Sequence, residues 1–304
     1  MRILVTGGTG FIGSNLARHL SGQGHQVYIT GLETNQNFGD LPVSFLGKNF
    51  TNLPWDKMGL IDIVFHEAAC NDTTLLDKIE MFKINFDWSR QLFKEAKKAG
   101  VKKIIYASST AVYGNTPPPF KEDGPFEPLN PYAESKLALD EWANEFWQEN
   151  PDVLVVGLRY CNIYGPGEAK KGKRATLIYQ LAQTMLKEKP LLFKYGEQKR
   201  DYLYIKDVIR ANLLASEAQE SGIYNCGFGK AASFNEIVEI LNTTLDVNRE
   251  PEFIDNPYSD HYQSFTECDM SLAKEKLKFI PEFDIRKGIQ DYYASGFLVK
   301  KQTS

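Results

Sequence analysis

The chain has 304 residues, 42% of them hydrophobic and 24% charged, with a formal net charge of −4. That length and apolar content supply a sizeable core, as one large α/β unit or as a nucleotide-binding domain with a smaller lobe, so disorder is not the expected state. Acids and bases interleave without the basic block that follows a phosphate backbone, which argues against nucleic acid as a partner.

Over the first half, short β-branched runs alternate with segments of helical period. Strands are expected at residues 3–6, 26–29, 43–46, 61–65, 103–107 and 153–157, all parallel and buried. Between them, residues 14–21, 85–99 and 132–147 carry apolar residues three and four apart. A βαβ series of this kind predicts an α/β fold, a Rossmann-type doubly wound parallel sheet with helices on both faces. After Arg159 the pattern loosens into a Gly- and Lys-rich stretch at 165–174, then a helix over 175–187. Strand-like pieces at 202–205 and 223–225 predict a return to the main sheet over 201–226, and 233–241 reads as an amphipathic helix. The expected organisation is a dinucleotide-binding domain at 1–165, rejoined by 201–226, with 166–304 mainly a smaller α/β substrate-binding lobe.

Cys70, Cys161, Cys226 and Cys268 are scattered, with no C-x-x-C spacing and no His in metal-ligand rhythm, so reduced thiols and no metal are expected. No apolar run approaches the ~20 residues of a bilayer span. Met1-Arg2 leads straight into a strand-like run rather than a signal peptide, so no membrane contact and a cytoplasmic location are expected.

Gly7-Gly8-Thr9-Gly10-Phe11-Ile12-Gly13 joins the first strand to the first helix. Gly7, Gly10 and Gly13 there permit a tight turn, close approach of a pyrophosphate and close packing of helix on strand, while the helix N-terminus favours negative charge. An acid at the end of the second strand would bind the ribose hydroxyls of NAD; that position falls on Gly31, which leans towards NADP. Glu33 could restore the acid, and Lys48 after the third strand could meet a ribose phosphate, so NAD stays open.

Ser108-Ser109-Thr110 follows the fifth strand, and Tyr132 and Lys136 stand four apart on a helix, hence on one face. An ammonium beside a phenol, with an oxidised nicotinamide near, favours the phenolate and lowers a reference pKa of about 10. Tyr132 can then exchange a proton with a substrate hydroxyl as hydride moves, with Ser109 hydrogen-bonded to the same oxygen. A lone Tyr-x-x-x-Lys is weak; in order after the glycine turn and the serine strand end it is strong.

Together with Arg159-Tyr160-Cys161-Asn162-Ile163-Tyr164-Gly165-Pro166 and Arg200-Asp201-Tyr202-Leu203-Tyr204, these motifs resemble the extended short-chain dehydrogenase/reductases that act on nucleotide sugars, over nearly the whole chain. Three further segments are similar to one branch, the ADP-glycero-manno-heptose 6-epimerases. Residues 65–74, including Glu67, Ala68, Ala69 and Cys70, resemble its loop over the cofactor; 166–172 its segment with a second catalytic lysine, at Lys171; 261–266 its C-terminal substrate loop, at Tyr262. The resemblance implies cofactor contacts at Phe11, Ile12, Asn85, Tyr132, Lys136 and Ile163 besides those named, and substrate contacts at Ser109, Asn162, Lys173, Gln180, Phe193, Arg200 and Tyr262. Arg200 would meet the substrate diphosphate, for which a guanidinium fork is suited.

An epimerase returns hydride to the other face of a transient ketone, so a second proton donor is useful, Tyr132 on one face and Lys171 on the other. Lys171 also lies in a run of Lys170, Lys173 and Arg174, and such runs are usually solvated surface. Departures from the branch are Gly31 for an acid, a loop at 193–200 one residue shorter, and Lys173 and Gln180 where a serine and a histidine are expected. His66, Trp142 and Trp147 read as packing residues, Cys70 equally as a small buried side chain, and Asn85 as a residue ordering backbone.

The expected activity is redox-neutral epimerisation of an ADP-linked heptose by a homo-oligomer. A UDP-hexose 4-epimerase is the alternative. A 4,6-dehydratase is disfavoured because Thr110-Ala111 lacks an acid beside the threonine, and a non-catalytic scaffold because it has no need of Tyr132 and Lys136 in register.

Overall fold

Runs rich in Val, Ile and Leu make strands that can be covered on both faces. The computed structural model describes residues 1–33, 38, 41–71, 77–255 and 263–299. Its strands are β1 (Arg2–Thr6), β2 (Gln26–Thr30), β3 (Val43–Gly47), β4 (Ile63–His66), β5 (Lys103–Ser109), β6 (Leu154–Tyr160), β7 (Asn162–Tyr164), β8 (Leu191–Phe193), β9 (Lys199–Arg200), β10 (Tyr202–Tyr204), β11 (Gly222–Cys226), β12 (Ala232–Ser233) and β13 (Glu252–Ile254). The helices are α1 (Phe11–Gly22), α2 (Trp55–Met58), α3 (Lys78–Phe82), α4 (Trp88–Lys98), α5 (Pro131–Glu149), α6 (Leu177–Met185), α7 (Ile205–Ser216), α8 (Phe234–Leu245), α9 (Ser271–Lys276) and α10 (Ile285–Ala294).

Seven parallel strands form the central sheet in the order β3-β2-β1-β4-β5-β6-β11. Alternation along each strand divides the core in two. Ile3 and Val5 face α1 and α7 through Leu16, Leu20, Val208 and Ala211. Leu4 faces the other way, towards Leu92, Phe93, Leu139 and Phe146 of α4 and α5. Strand order reverses between β1 and β4, so a crevice opens at their C-terminal ends, where the glycine turn and the loop after β4 lie.

Two expectations need correction. β3 is a half-exposed edge, with Ser44 and Phe45 in solvent, because only β2 pairs with it. Of the segment expected to rejoin the main sheet, only β11 does so, beside β6. Tyr202-Leu203-Tyr204 pairs instead with β7, which leaves the sheet directly after β6 and carries its partner with it. Short pairs β12 with β9 and β13 with β8 build the rest of the lobe. Among the described residues no helix is long and apolar enough to cross a membrane, and no three His, Cys, Asp or Glu groups converge to hold a metal.

A buried ion pair ties these parts together. Arg159 Nε donates to Asp140 Oδ2 at 2.8 Å, and Tyr106 donates its hydroxyl to Asp140 Oδ1 at 3.0 Å. Arg159 Nη1 also donates to the Tyr113 hydroxyl and to the Glu122 carbonyl, each at 2.9 Å, and Tyr113 donates to Asn225 Oδ1 at 2.6 Å. The network links α5 to β5, β6 and β11. Replacing Arg159 by Met strands the Asp140 carboxylate in the core, and urea unfolding is expected to show a loss of about 3–5 kcal/mol. A loss below about 1 kcal/mol would show the network to be dispensable.

Candidate active site

The turn after β1 has no room for side chains. Gly7 adopts φ 66°, and a Cβ there would lie 2.7 Å from the backbone nitrogen of Ala68; one at Gly13 would collide with the Gly7 carbonyl. The Gly10 N–H donates to that carbonyl at 2.8 Å. α1 then begins at Phe11 with no side-chain cap and no acid in its first turn. Its first N–H groups, including those of Phe11, Ile12 and Gly13, have no intrahelical partners, so the turn fits the pyrophosphate of a dinucleotide.

At the end of β2 the structure accounts for Gly31. A Cβ at that position would collide with Thr9 Oγ1, so no carboxylate can start there while Thr9 keeps its place. The Gly31 N–H donates to the Gly47 carbonyl at 3.1 Å, which brings Lys48 alongside. Glu33 donates its N–H to Thr9 Oγ1 at 3.3 Å, and its carboxylate pairs with Lys170 at 3.6 Å.

Ser109 ends β5, and Tyr132 opens α5, whose N-cap Asn130 accepts the Ala133 N–H at 2.9 Å. The Ser109 and Tyr132 side chains are hydrogen-bonded to each other. One turn later Lys136, 2% exposed, donates to the Ala107 carbonyl at 2.8 Å. Burial pushes Lys136 down to about 8, against the pull of Asp140 and Glu67 in the other direction. The expected lowering of the Tyr132 phenol is not what the polypeptide provides: burial raises it, and the Ser109 hydrogen bond recovers only part of that. An oxidised nicotinamide held beside them would supply the remaining positive charge as well as the hydride acceptor.

Glu67, just beyond β4, accepts from the Tyr160 hydroxyl at 3.0 Å through Oε1, while Oε2 is buried with no hydrogen-bond partner among the described residues. Burial raises its carboxyl to about 7. Ala68 touches the glycine turn, and Cys70 is fixed by Asn85, which accepts the Cys70 N–H at 2.8 Å and donates to the Cys70 carbonyl at 2.9 Å and to Ser135 Oγ at 3.0 Å. Asn85 thus orders backbone beside α5. It reaches there because residues Lys83–Asp87 form a π-turn ahead of α4. His66 lies between Thr6 and Ser89 and is pushed down to about 3 by burial, a neutral core residue; Trp142 and Trp147 pack against the core near Phe93 and Phe146.

Asn162, Lys171, Phe193 and Arg200 line one cavity of about 470 Å³ beside this crevice, and Ile163, expected on the cofactor, lines it too. Lys171 is half-buried while Lys170, Lys173 and Arg174 around it are exposed, and its Nζ lies 5.6 Å from the centroid of the Phe11 ring. Burial lowers its pKa, against the carboxylate of Glu168. Arg200 packs 5.7 Å from the Phe234 ring. Lys173 and Gln180 lie outside the cavity lining, Gln180 donating to the carbonyls of Lys173 and Ala175 at 3.2 and 2.7 Å. Ala69 lies in the loop between Ala68 and Cys70, and Tyr262 falls outside the described residues.

Residues 3–227 match the model of the NAD dependent epimerase/dehydratase family. The chain belongs to that family. This places it among the extended short-chain dehydrogenase/reductases that use a nicotinamide dinucleotide to epimerise nucleotide-linked sugars, an enzyme acting on carbohydrates. Among solved structures, the ADP-L-glycero-D-manno-heptose-6-epimerase of Helicobacter pylori is similar at 35% identity and a TM-score of 0.84, over 97% of this chain and 95% of that one. Two epimerase-family members acting on UDP-sugars are similar at 28% identity and a TM-score of 0.86 over 97% of this chain. They are the UDP-N-acetylglucosamine 4-epimerase of Methanobrevibacter ruminantium, covered over 98%, and the UDP-glucose 4-epimerase of Thermotoga maritima, covered over 99%.

Arg174, Tyr202 and Phe234 also line the cavity, and Thr9 shapes the end of β2; sequence reading passed over all four. Arg174 left a signal as the last cation of the basic run, and Thr9 and Tyr202 stood within quoted motifs without a role of their own.

Replacing Gly13 by Ala forces α1 away from the turn, and protein purified with this change should carry at least ~10-fold less bound dinucleotide, measured after denaturation and extraction. Lys136 loses its charge as pH rises through about 8. Dinucleotide affinity of the stripped epimerase, followed by calorimetry, should fall across that range, and Lys136→Arg should flatten the profile.

Proposed function

We propose that this epimerase inverts carbon 6 of an ADP-linked glycero-manno-heptose, with NADP as its dinucleotide. The observation that carries the reading is Lys171, the half-buried member of an otherwise exposed basic run, whose ammonium lies over Phe11 of the dinucleotide turn and which lines, with Arg174 of the same run, the cavity that also holds Arg200. A 4-epimerase and a 6-epimerase share Ser109, Tyr132 and Lys136; a lysine facing the same cavity adds a second proton donor. The 35% identity to the heptose epimerase of Helicobacter pylori supports the same choice. NADP is favoured because Thr9 leaves no place for an acid at residue 31, Lys48 stands alongside, and Glu33 is engaged by Lys170.

In this reading Arg200 receives the diphosphate and fixes the sugar by its anionic end. Tyr132 takes the proton of the sugar hydroxyl while Ser109 donates to the same oxygen and hydride leaves for the dinucleotide. The planar ketone turns within the cavity. As hydride returns to its other face, Lys171 gives a proton to the new alkoxide, and a proton passing from Tyr132 back to Lys171 through solvent resets both groups for the next turnover. Lys136 holds positive charge beneath the phenol throughout.

Incubating the purified protein, without added cofactor, with ADP-glycero-manno-heptose and in parallel with UDP-glucose should invert only the heptose, read by NMR of the sugar. Inversion of UDP-glucose at carbon 4 in place of the heptose would sink the proposal in favour of the 4-epimerase reading. Tyr132→Phe and Lys171→Met should each lower turnover by about 10²–10⁴-fold, the range expected when a positioned acid or base is lost. Chromatography of the released nucleotide should show NADP.

A further inference from the structure

The segment that carries Lys171 is closed at both ends by one side chain. Glu168 is fully buried, its Oε1 accepting the Gly165 N–H at 3.0 Å and its Oε2 the Thr176 N–H at 2.7 Å. Gly165 directly follows β7, and Thr176 is the N-cap of α6. Between the two contacts runs a 3-10 stretch, Glu168–Arg174, entered through Gly167 at φ 102° and broken at Gly172 at φ 56°. Such a short irregular stretch has few internal hydrogen bonds to hold it. Its outer side is tied more loosely: Asn15 donates to the Pro166 carbonyl at 2.9 Å, Lys170 pairs with Glu33, and Arg174 donates to Asn71 at 3.3 Å.

We propose that Glu168 is a positioning residue for Lys171: its carboxylate, holding both ends of the segment, fixes it so that the ammonium projects past Phe11 into the cavity. The proposal rests on Lys171 as the second proton donor. Two backbone N–H groups converge on the site, so two acceptor oxygens are needed; a glutamine there has one, and would aim an NH2 at the other donor. The groups facing Lys171 are Glu168 and Arg174 from its own segment, the Phe11 ring from α1 and Arg200 across the cavity, with Lys170 turned to Glu33. Glu168 is the carboxylate in that set. Burial pushes its own pKa up, the two N–H groups, the Thr176 hydroxyl and Lys171 pull it back, and the Tyr292 hydroxyl of α10 faces the same carboxylate.

The test uses the holoenzyme with ADP-glycero-manno-heptose and the variants Glu168→Gln, Glu168→Asp and Lys171→Met. In Glu168→Gln, kcat should fall by at least ~10-fold with KM within about 2-fold. Removing the carboxylate leaves Lys171 desolvated beside Arg174, so its proton is lost at lower pH and the alkaline limb of kcat should move to lower pH. In a single turnover the reduced nicotinamide should persist, because the first proton transfer belongs to Tyr132. Glu168→Asp keeps the charge but is one methylene short, so kcat should fall with the alkaline limb in place; it also serves if the glutamine variant does not fold.

An unmoved limb and no accumulation of reduced nicotinamide in Glu168→Gln, or full turnover in Glu168→Asp, would overturn the assignment and leave Glu168 as a loop staple. If Glu168→Gln is unaffected while Lys171→Met is inactive, only the assignment of Glu168 falls. Full activity of Lys171→Met would remove the second proton donor itself.

Discussion

Backbone against backbone at Gly7 is the contact on which the site depends. The turn after β1 presses on Glu67 and Ala68 beyond β4, and α1 presses on the turn at Gly13, with no space for a methyl group at either place. That spacing sets the depth of the crevice between the two central strands. It also fixes where Phe11 stands, and therefore what Lys171 can reach, and it carries Glu67 to the neighbourhood of Lys136.

Partial removal from water gives the site its electrostatic character. Lys136 is brought down to about 8 and Glu67 up to about 7, so an amine and a carboxyl that differ widely in solution come within about a unit of each other. Lys171 is lowered in the same sense, with Glu168 opposing.

Most of the sheet was legible because a covered parallel strand must be apolar on both faces, and Ile3-Leu4-Val5 or Val155-Val156 can be little else. Pairing was less so: Tyr202-Leu203-Tyr204 reads as a strand, but nothing in three apolar residues says that β7 will leave the sheet and claim it. Tyr132 and Lys136 were legible because a helix turns four residues onto one face. Lys171 could not be told by composition from Lys170 or Lys173; burial separates them. Glu168 left no trace at all, since its partners are backbone N–H groups brought to it by the fold. Gly31 carried a signal whose local cause lay elsewhere, in the hydroxyl of Thr9.

β11 has a consequence for how such a chain can change. It enters the central sheet only after most of the cavity-lining residues, from Cys161 to Tyr202, have been laid down, and Asn225 upon it closes the network through Tyr113 and Arg159 to Asp140 on the helix of Tyr132. That stretch of the cavity is therefore threaded between two neighbouring strands of the sheet, while Phe234 joins it from beyond β11. No single joint separates cavity from sheet, and any change of length in the threaded stretch must still return the chain in register to β6.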